Sequence, residues 1–240
     1  MSNLARIRTL FGDAAIQKLQ NATVMVVGCG AVGSFAIEAL ARSGIGHLVI
    51  VDFDKVEESN INRQLFATTS TVGQPKVDVA KRRIHDINPN IIVTEYNTFW
   101  DENTDIPEKP DFIIDAIDTV DSKIALYKWA HEHNIRIIAS MGAASKTDVG
   151  RIKIAPLFKT SVCPLANRVR HAARRNNLPN IPTVFSDETP VPVIGHAKNL
   201  GSLITITGTF GLYLGSIITV TGTFGLIMAN YVIQEIIHQI

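Results

Sequence analysis

A short glycine turn and the acids that follow it form the first group in the sequence that could do chemistry. The turn GCGAVG spans residues 28–33 and comes directly after the apolar run 24–27. Its glycines allow close approach of the backbone to phosphate, and the N-terminus of the following helix favours anionic charge. A second apolar run leads into two acids, and an acid at this place can bond ribose hydroxyls. The pattern predicts an adenine-nucleotide site built from Gly28, Gly30, Ala31, Gly33, Asp52 and Asp54.

The alternation of apolar runs and helical patterns predicts the fold that positions these residues. Runs typical of buried strands occur at 24–27, 47–51, 91–95, 112–117 and 135–140. We therefore expect an α/β fold: a Rossmann-like, doubly wound, mostly parallel sheet with helices on both faces. Ligands of such folds bind at the carboxyl ends of the strands, so one pocket should gather Gly33, Asp52 and Asp118. A glycine turn that only packs a helix on the sheet is the alternative.

The chain divides into an arm, a core and an extension of the same domain. Residues 1–20 favour a polar helix-turn-helix arm, and residues 21–150 form the nucleotide-binding core. Residues 151–240 are expected to pack on the sheet as a strand at 151–155, a basic helix at 164–176, an extended segment at 179–192 and an apolar helix.

The apolar C-terminal region contains a tandem repeat. Residues 201–214 (GSLITITGTFGLYL) and 215–228 (GSIITVTGTFGLIM) are identical at 10 of 14 positions. Fourteen residues make nearly four helical turns, so a second copy would lengthen a helix while roughly keeping its face. The stretch without charge, from Lys198 to Glu235, is long enough for a membrane span. Its many Thr and Gly residues, and the absence of a flanking Lys or Arg cluster, favour a core helix instead.

Composition narrows the class of protein. The formal net charge is +1, so global electrostatics force neither a nucleic-acid nor a membrane role. Cys29 and Cys163 are the only cysteines, which excludes a disulfide scaffold and a four-cysteine zinc site and suits a reducing cytoplasm. No histidine pattern supports Cys163 as a catalytic thiol. The N-terminal residues lack the apolar core of a signal peptide.

Polar residues between the second and fourth predicted strands carry a family resemblance. The pattern resembles the ubiquitin-activating-like superfamily, which includes the adenylating enzymes of molybdopterin and thiamine synthesis, at Asp52, Asp54, Asn60, Arg63, Gln64, Lys76 and Asp118. Those enzymes activate a carboxylate with ATP. The resemblance implies that Asp52 holds the ribose and that Asp118 works with Mg²⁺. It implies that the phosphates are held by Asn60, Arg63 and Lys76, and we place Gln64 and Thr119 in the same nucleotide site.

The second half of the chain resembles one branch, the tRNA threonylcarbamoyladenosine dehydratases. The resemblance rests on residues 140–144, 159–160, 164–166, 184–190 and 221–229. It implies ATP-dependent cyclisation of the threonylcarbamoyl group on the adenosine beside the tRNA anticodon. It also implies Mg²⁺, stimulation by a monovalent cation (K⁺ or Na⁺) and a homodimer. A sulfur-transfer protein is one further candidate partner, which the sequence itself does not show.

Three departures from the family pattern stand out. Position 31 is alanine where the family usually has glycine, which tightens the approach to phosphate. The region 190–201 is shorter than usual, and the repeat adds a copy where the family has one. The last two bear on C-terminal packing, and hence on the dimer or substrate pocket, more than on the ATP site.

Three residues are expected to act in catalysis, and each has an alternative explanation. Adenylation brings two anions together, so we assign Arg63 and Lys76 to a phosphate clamp and Asp118 to magnesium. Asp118 would otherwise cap a helix, Arg63 would lie in a solvated loop, and Lys76 would be a surface lysine. In relatives an N-terminal arginine reaches the ATP of the partner subunit, and the resemblance implies this role for Arg6 or Arg8. The alternative is that both arginines belong to an exposed arm.

The basic helix is the candidate contact for tRNA phosphates. The residues assigned to it are Lys159, Arg168, Arg170, Arg174 and Arg175, on a surface expected to include Lys81, Arg82 and Arg83. No aromatic residue is interleaved with these charges, so base stacking is not predicted there. A merely solvated helical face is the alternative.

Three other functions fit part of the sequence, and one of them is a nucleotide-sensing module without catalysis, in which the repeat has cost activity. Activation of a ubiquitin-like sulfur-carrier protein uses the same chemistry, but relatives on that path carry CxxC pairs and a transfer cysteine that this chain lacks. An NAD-dependent oxidoreductase would explain the glycine turn and Asp52 and would leave Arg63 and Lys76 without a role.

Overall fold

The computed structural model describes residues 4–192 and 215–238 of the chain. Seven strands form one sheet: β1 (Thr23–Val27), β2 (His47–Val51), β3 (Ile92–Tyr96), β4 (Phe112–Asp115), β5 (Arg136–Ser140), β6 (Ile152–Pro156) and β7 (Pro182–Ser186). The described helices are α1 (Ala5–Asn21), α2 (Gly33–Ser43), α3 (Lys76–Ile87), α4 (Val120–Glu132), α5 (Pro164–Arg175) and α6 (Ile218–Ile237).

The sheet has the order β3-β2-β1-β4-β5-β7-β6. All neighbouring strands pair in parallel except β6, which is antiparallel to β7 at one edge. This confirms the predicted Rossmann-like fold class. Strand order runs outward in both directions from β1 and β4, and the crevice at such a switch point is where ligands of doubly wound sheets bind.

The apolar runs are long because the central strands are buried on both faces. Along β1, Val24 and Val26 join an apolar cluster on one face, whereas Met25 and Val27 join a second cluster on the other. Helices α2, α3 and α6 cover the first cluster, and α4 and α5 cover the second. Because alternate residues of a strand face opposite sides of the sheet, both faces are apolar and each is covered by helices, which gives a three-layer domain.

The arm predicted at 1–20 as a helix-turn-helix is α1, whose two helical halves meet at Gly12, where a φ of 82° breaks the helical conformation. One other segment differs in detail from the sequence prediction. The segment predicted as merely extended, 179–192, contains β7, which lies inside the sheet between β5 and β6. Pro182 is its first residue, a position at which a proline costs no internal ladder hydrogen bond.

Helix α6 contains most of the second repeat copy and covers the sheet beside α2. A Cβ atom at Gly225 would lie 2.2 Å from the backbone oxygen of Val32, so the two helices meet at a point that requires glycine. Among the described helices, α6 alone is long and apolar enough to cross a membrane, and 50% of its apolar window is buried inside the protein. The first repeat copy and the shortened region before it, at 193–214, lie outside the described residues.

Candidate functional site

The glycine turn between β1 and α2 has a conformation that other residues would not tolerate. Gly28 has a φ of +98°, and a Cβ there would lie 2.7 Å from the backbone oxygen of Ala116. A Cβ at Gly33 would lie 1.7 Å from the backbone oxygen of Gly28. At Gly30 a Cβ would have one neighbour within 4 Å among the described residues, the side-chain amide nitrogen of Gln64, at 3.7 Å. The conformation of the turn therefore requires glycine at positions 28 and 33, whereas Gly30 has open space beside it.

The carboxylate of Asp52 fixes the turn to the end of β2. Its two oxygens accept hydrogen bonds from the backbone N–H groups of Cys29 (2.6 Å) and Asp54 (2.8 Å). The pKa of the Asp52 carboxyl is raised because burial is the largest effect. The positive charge of Lys76 and the two N–H groups offset part of that rise. Each carboxylate oxygen retains a lone pair for a further donor such as a ribose hydroxyl. Cys29 is buried, which raises the pKa of its thiol and keeps it protonated, as suits a small filler.

Lys76 is a buried cation at the start of α3. Its side chain is 7% exposed, and its ammonium group lies 2.7 Å from the carboxylate of Asp54. Its backbone N–H also donates to the backbone oxygen of Asp54, at 2.9 Å. Lys76 is therefore tied to the end of β2, where Asp52 binds the turn, and is not an ordinary surface lysine.

The polar segment after β2 folds over the glycine turn. Asn60 is buried, and its backbone oxygen accepts hydrogen bonds from the N–H groups of Arg63 (3.1 Å) and Gln64 (2.9 Å). Leu65 N–H donates to the hydroxyl of Ser34, at 3.1 Å, which ties the segment to the start of α2. The partly exposed Arg63 guanidinium donates to the backbone oxygen of Ser59, at 2.7 Å. Arg63 and Gln64 thus lie in an ordered loop.

Asp118 is exposed in the turn between β4 and α4. This turn lies beside the nucleotide turn, since Ala116 contacts Gly28. Thr119, also exposed, is the N-terminal capping residue of α4, but its side chain accepts no capping hydrogen bond. Within the described residues no hydrogen bond or ion pair engages the Asp118 carboxylate, so the expected alternative of a helix cap is not seen.

A buried charge network beneath Asp118 was missed by the sequence reasoning. The carboxylate of Asp115 accepts from the ammonium of Lys123 (2.7 Å), the hydroxyl of Tyr127 (2.7 Å) and the backbone N–H of Ile117 (3.0 Å). Lys123 also donates to the backbone oxygen of Ser140, at 2.8 Å. The network joins β4, β5 and α4, and it fixes the turn that carries Asp118. The sequence did contain one signal for this network, namely Asp115, an acid at the end of the buried strand β4.

Removing the positive charge of this network is expected to destabilise the fold. Lys123 and Asp115 are both fully buried, so Lys123→Met leaves an unpaired carboxylate in the core. We expect a loss of about 3–5 kcal/mol in the free energy of unfolding, measured by urea denaturation. The double variant Asp115→Asn/Lys123→Met, which removes both charges, should be more stable than Lys123→Met. Equal stability of Lys123→Met and the wild type would show that the pair carries no such cost.

The predicted tRNA-binding residues lie apart from the nucleotide turn, on and before α5. The guanidinium of Arg170 donates to the backbone and side-chain oxygens of Thr160, at 2.7 and 2.8 Å. That of Arg174 lies 4.9 Å from the ring centre of Phe158. Lys159, Arg168 and Arg175 are exposed.

The basic surface predicted to combine α5 and α3 is wrong. These helices pack against different apolar clusters on opposite faces of the sheet. The α3 charges also have partners of their own: Lys81 pairs with Glu95, Arg83 pairs with Glu38, and Arg82 donates to Gln74.

The site residues thus fall into three groups. The first group is the glycine turn together with the residues that contact it or one another: Asp52, Asp54, Lys76 and Gln64. Asp118 and Thr119 lie on the adjoining turn. The α5 basic residues are separate. No cluster of three or more metal-binding side chains occurs among residues 4–192 and 215–238. A lone exposed carboxylate still fits Mg²⁺ at a nucleotide site, because that ion commonly takes one or two carboxylates, phosphate oxygens and water.

Comparisons with known proteins agree with this geometry. The model of the ThiF family matches residues 2–239. A tRNA threonylcarbamoyladenosine dehydratase of Bacillus subtilis is 44% identical over 197 residues, which is 80% of this chain and 78% of the relative. The structure of the Escherichia coli tRNA N6-threonylcarbamoyladenosine dehydratase in complex with ATP has a TM-score of 0.85 and 30% identity, covering 98% of this chain and 93% of that one. The AMP complex of that protein has a TM-score of 0.86 at 30% identity, covering 97% and 92%.

Proposed function

Because the chain belongs to the ThiF family, we propose that it is an ATP-dependent tRNA threonylcarbamoyladenosine dehydratase that adenylates the side-chain carboxylate of its substrate. The observation that carries the proposal is the buried Lys76–Asp54 pair joined to the Asp52-bound glycine turn. This supplies a fixed cation beside a phosphate-type turn. The similarity to dehydratases over most of the chain supports the choice of substrate.

The chemistry needs activation because a carboxylate does not readily expel oxide. A carboxylate oxygen attacks the α-phosphorus of ATP, the bond to the β-phosphate bridge breaks, and pyrophosphate leaves. A nitrogen of the carbamoyl linkage then attacks the activated carbonyl, AMP leaves, and the nitrogen releases its proton to solvent. The net change in the nucleoside is loss of one water. No enzyme thiol is needed, since the nucleophile is part of the substrate and proximity supplies much of the rate.

Each site residue has a role that follows from its environment. Asp52, tied to the turn, is suited to hold the ribose hydroxyls, and Gly28, Gly30, Ala31 and Gly33 bring backbone N–H groups toward the phosphates. Lys76 and Arg63 neutralise the charge that builds on the α-phosphate, and Asp54 holds Lys76 in place. Asn60 and Gln64 shape the loop that carries Arg63.

Magnesium is proposed at Asp118, with Thr119 beside it. An exposed carboxylate without a protein partner among the described residues matches the preference of Mg²⁺ for oxygen ligands shared with phosphate. When bound, the ion neutralises phosphate charge. The protein's part is to hold the Asp118 turn through the Asp115–Lys123 network.

Four further features are proposed from the sequence and the family resemblance together. We propose a homodimer, stimulation by K⁺ or Na⁺, a cytoplasmic location and a sulfur-transfer protein as a possible partner. Within its own chain, Arg8 is paired with Asp13, which leaves Arg6 as the better candidate for the partner subunit's ATP. Burial of half the apolar window of α6 supports a core helix instead of a membrane span.

Charge reversal on α5 is expected to weaken tRNA binding. Arg174 and Arg175 are exposed near the end of the helix, so Arg174→Glu/Arg175→Glu should raise the KM for tRNA about tenfold and reduce its salt dependence. The matched control is Arg82→Glu, an exposed arginine of α3 on the opposite face of the sheet. Steady-state kinetics at several salt concentrations measure both. An equal change in the KM for tRNA in the two variants would show that the tRNA does not bind specifically at α5.

The direct test of the activity is mass spectrometry of nucleosides from threonylcarbamoylated tRNA incubated with the protein, Mg²⁺ and ATP. We expect an ATP-dependent loss of one water from threonylcarbamoyladenosine. Binding of ATP without any change in mass would contradict the dehydratase assignment and favour a carboxylate on a protein as the substrate.

A further inference from the structure

Helix α2 is covered by a segment of which the chain contains a second, nearly identical copy. The buried residues that α6 takes from the repeat are Val220, Thr221, Gly222, Phe224, Gly225 and Met228. A Cβ at Gly222 would lie 3.1 Å from the ring of Phe35, and a Cβ at Gly225 would lie 2.2 Å from the backbone oxygen of Val32. A segment that covers α2 in this way therefore needs glycine at the second of these positions and a very small residue at the first.

The first repeat copy meets this requirement residue by residue. In the alignment of the two copies, the residues that correspond to the six buried positions are Ile206, Thr207, Gly208, Phe210, Gly211 and Leu214. Four of the six are identical, and both glycines are among them. The other two exchange Val for Ile and Met for Leu, which are apolar changes of similar volume that packed cores tolerate. The sequence of residues 201–214 is therefore as compatible with the surface of α2 as that of residues 215–228.

The chain is also long enough for the first copy to reach α2. The backbone N–H of Val191 donates to the backbone oxygen of Ser145, and the backbone N–H of Ser145 donates to the backbone oxygen of Gly215, both at 2.8 Å. Val191 and Gly215 thus meet at Ser145, within about 10 Å of each other. With residue 201 in the place of Gly215, the residues 193–200 would have to close this gap, and that many extended residues reach about 26–29 Å.

We propose that the two repeat copies are interchangeable partners of α2, so that residues 201–214 can take the place of residues 215–228 against it. The second half of α6 keeps its place. A shift of the whole helix by 14 residues would instead put Thr219 at the position of Ile233 and Gly222 at that of Ile236, which would leave cavities. The displaced second copy forms a loop whose ends adjoin, and the entropic cost of closing a loop rises only slowly with its length.

Interchange bears on the nucleotide site through Val32, the residue of the glycine turn that α6 contacts. Either copy can hold the turn in the same way, since the glycine that allows the contact is present in both as Gly211 and Gly225. A substitution that disables one copy should therefore leave the turn covered. Interchange is a matter of packing, and it does not depend on the dehydratase proposal.

The two copies can be blocked one at a time on the full chain. Gly225→Leu places a large side chain against the backbone of Val32 and excludes the second copy. Gly211→Leu is the matched change in the first copy, and the double variant Gly211→Leu/Gly225→Leu blocks both. Hydrogen exchange of backbone amides, measured by mass spectrometry of peptides, identifies the copy that is packed in each variant.

The exchange pattern should follow the copy that remains intact. In the wild type and in Gly211→Leu we expect slow exchange at residues 220–228. In Gly225→Leu the amides of 220–228 should exchange at least about tenfold faster than in the wild type, and those of 206–214 at least about tenfold more slowly. Residues 229–237 should exchange as in the wild type.

Urea unfolding supplies a second measurement. Gly225→Leu should unfold at a higher urea concentration than the double variant, because only the double variant has no copy left for α2. A double variant that never accumulates as folded protein agrees with this, provided that Gly225→Leu folds. Equal midpoints for these two variants, or failure of Gly225→Leu to fold, would overturn the proposal. So would a Gly225→Leu protein in which residues 206–214 exchange as fast as in the wild type.

Discussion

Lys76→Met is expected to lower kcat/KM for ATP by about a thousandfold. The lysine ammonium is almost fully buried against Asp54 beside the glycine turn, so its charge acts where bulk water screens it little. Loss of one fixed group that stabilises the transition state commonly costs about 100- to 1,000-fold, and phosphoryl-transfer cations reach beyond that range. Steady-state kinetics with saturating tRNA measure the change.

The matched control for this variant lies on the same helix. Lys81→Met removes an ammonium group that is also paired with a carboxylate, that of Glu95, but that is remote from the turn. Its kcat/KM should stay within about twofold of the wild type. Because Asp54 is 47% exposed, water can solvate its carboxylate once Lys76 is gone, and Lys76→Met should remain folded by circular dichroism. A folded Lys76→Met variant of near wild-type activity would remove Lys76 from the clamp.

Asp118→Asn should produce the second large effect, about a hundredfold loss in kcat with a higher Mg²⁺ concentration at half-maximal rate. The substitution keeps the size of the side chain and removes the anionic oxygen that an oxygen-preferring cation requires. The rate is measured as a function of Mg²⁺ concentration at fixed ATP and tRNA. The dependence on Mg²⁺ separates a metal ligand from a residue that only shapes the turn.

Asp121→Asn is the control for the metal assignment. Asp121 is an exposed acid in the first turn of α4, three residues from Asp118. Its loss should leave the dependence on Mg²⁺ unchanged. If both variants shift that dependence equally, the general negative potential of the turn is responsible and Asp118 is not a specific ligand.

The parts of the site that could be predicted from sequence are those encoded by local patterns. The glycine turn and Asp52 follow directly from buried strands, and the parallel order of those strands brings their carboxyl ends together. The family resemblance added Arg63, Lys76 and Asp118, which no periodicity distinguishes from surface residues. The roles of these residues stay predictions until the variants are measured.

The parts that could not be predicted depend on contacts between distant segments. Lys123 lies near the start of a helix, where a lysine is ordinarily solvated, and only the fold reveals that it is fully buried against Asp115. The pairing of Lys76 with Asp54 spans 22 positions. The basic residues of α3 and α5 look equivalent in sequence, but the chain crosses the sheet so that these helices occupy opposite faces.

Transfer of an oxygen atom tests the central claim of carboxylate adenylation most directly. Threonylcarbamoylated tRNA labelled with ¹⁸O in the carboxylate is incubated with the protein, Mg²⁺ and ATP, and the AMP produced is analysed by mass spectrometry. Adenylation predicts AMP that carries one ¹⁸O atom, because the oxygen that joins the carboxylate to phosphorus leaves with AMP. Unlabelled AMP, or ADP as the product of dehydration, would contradict the account.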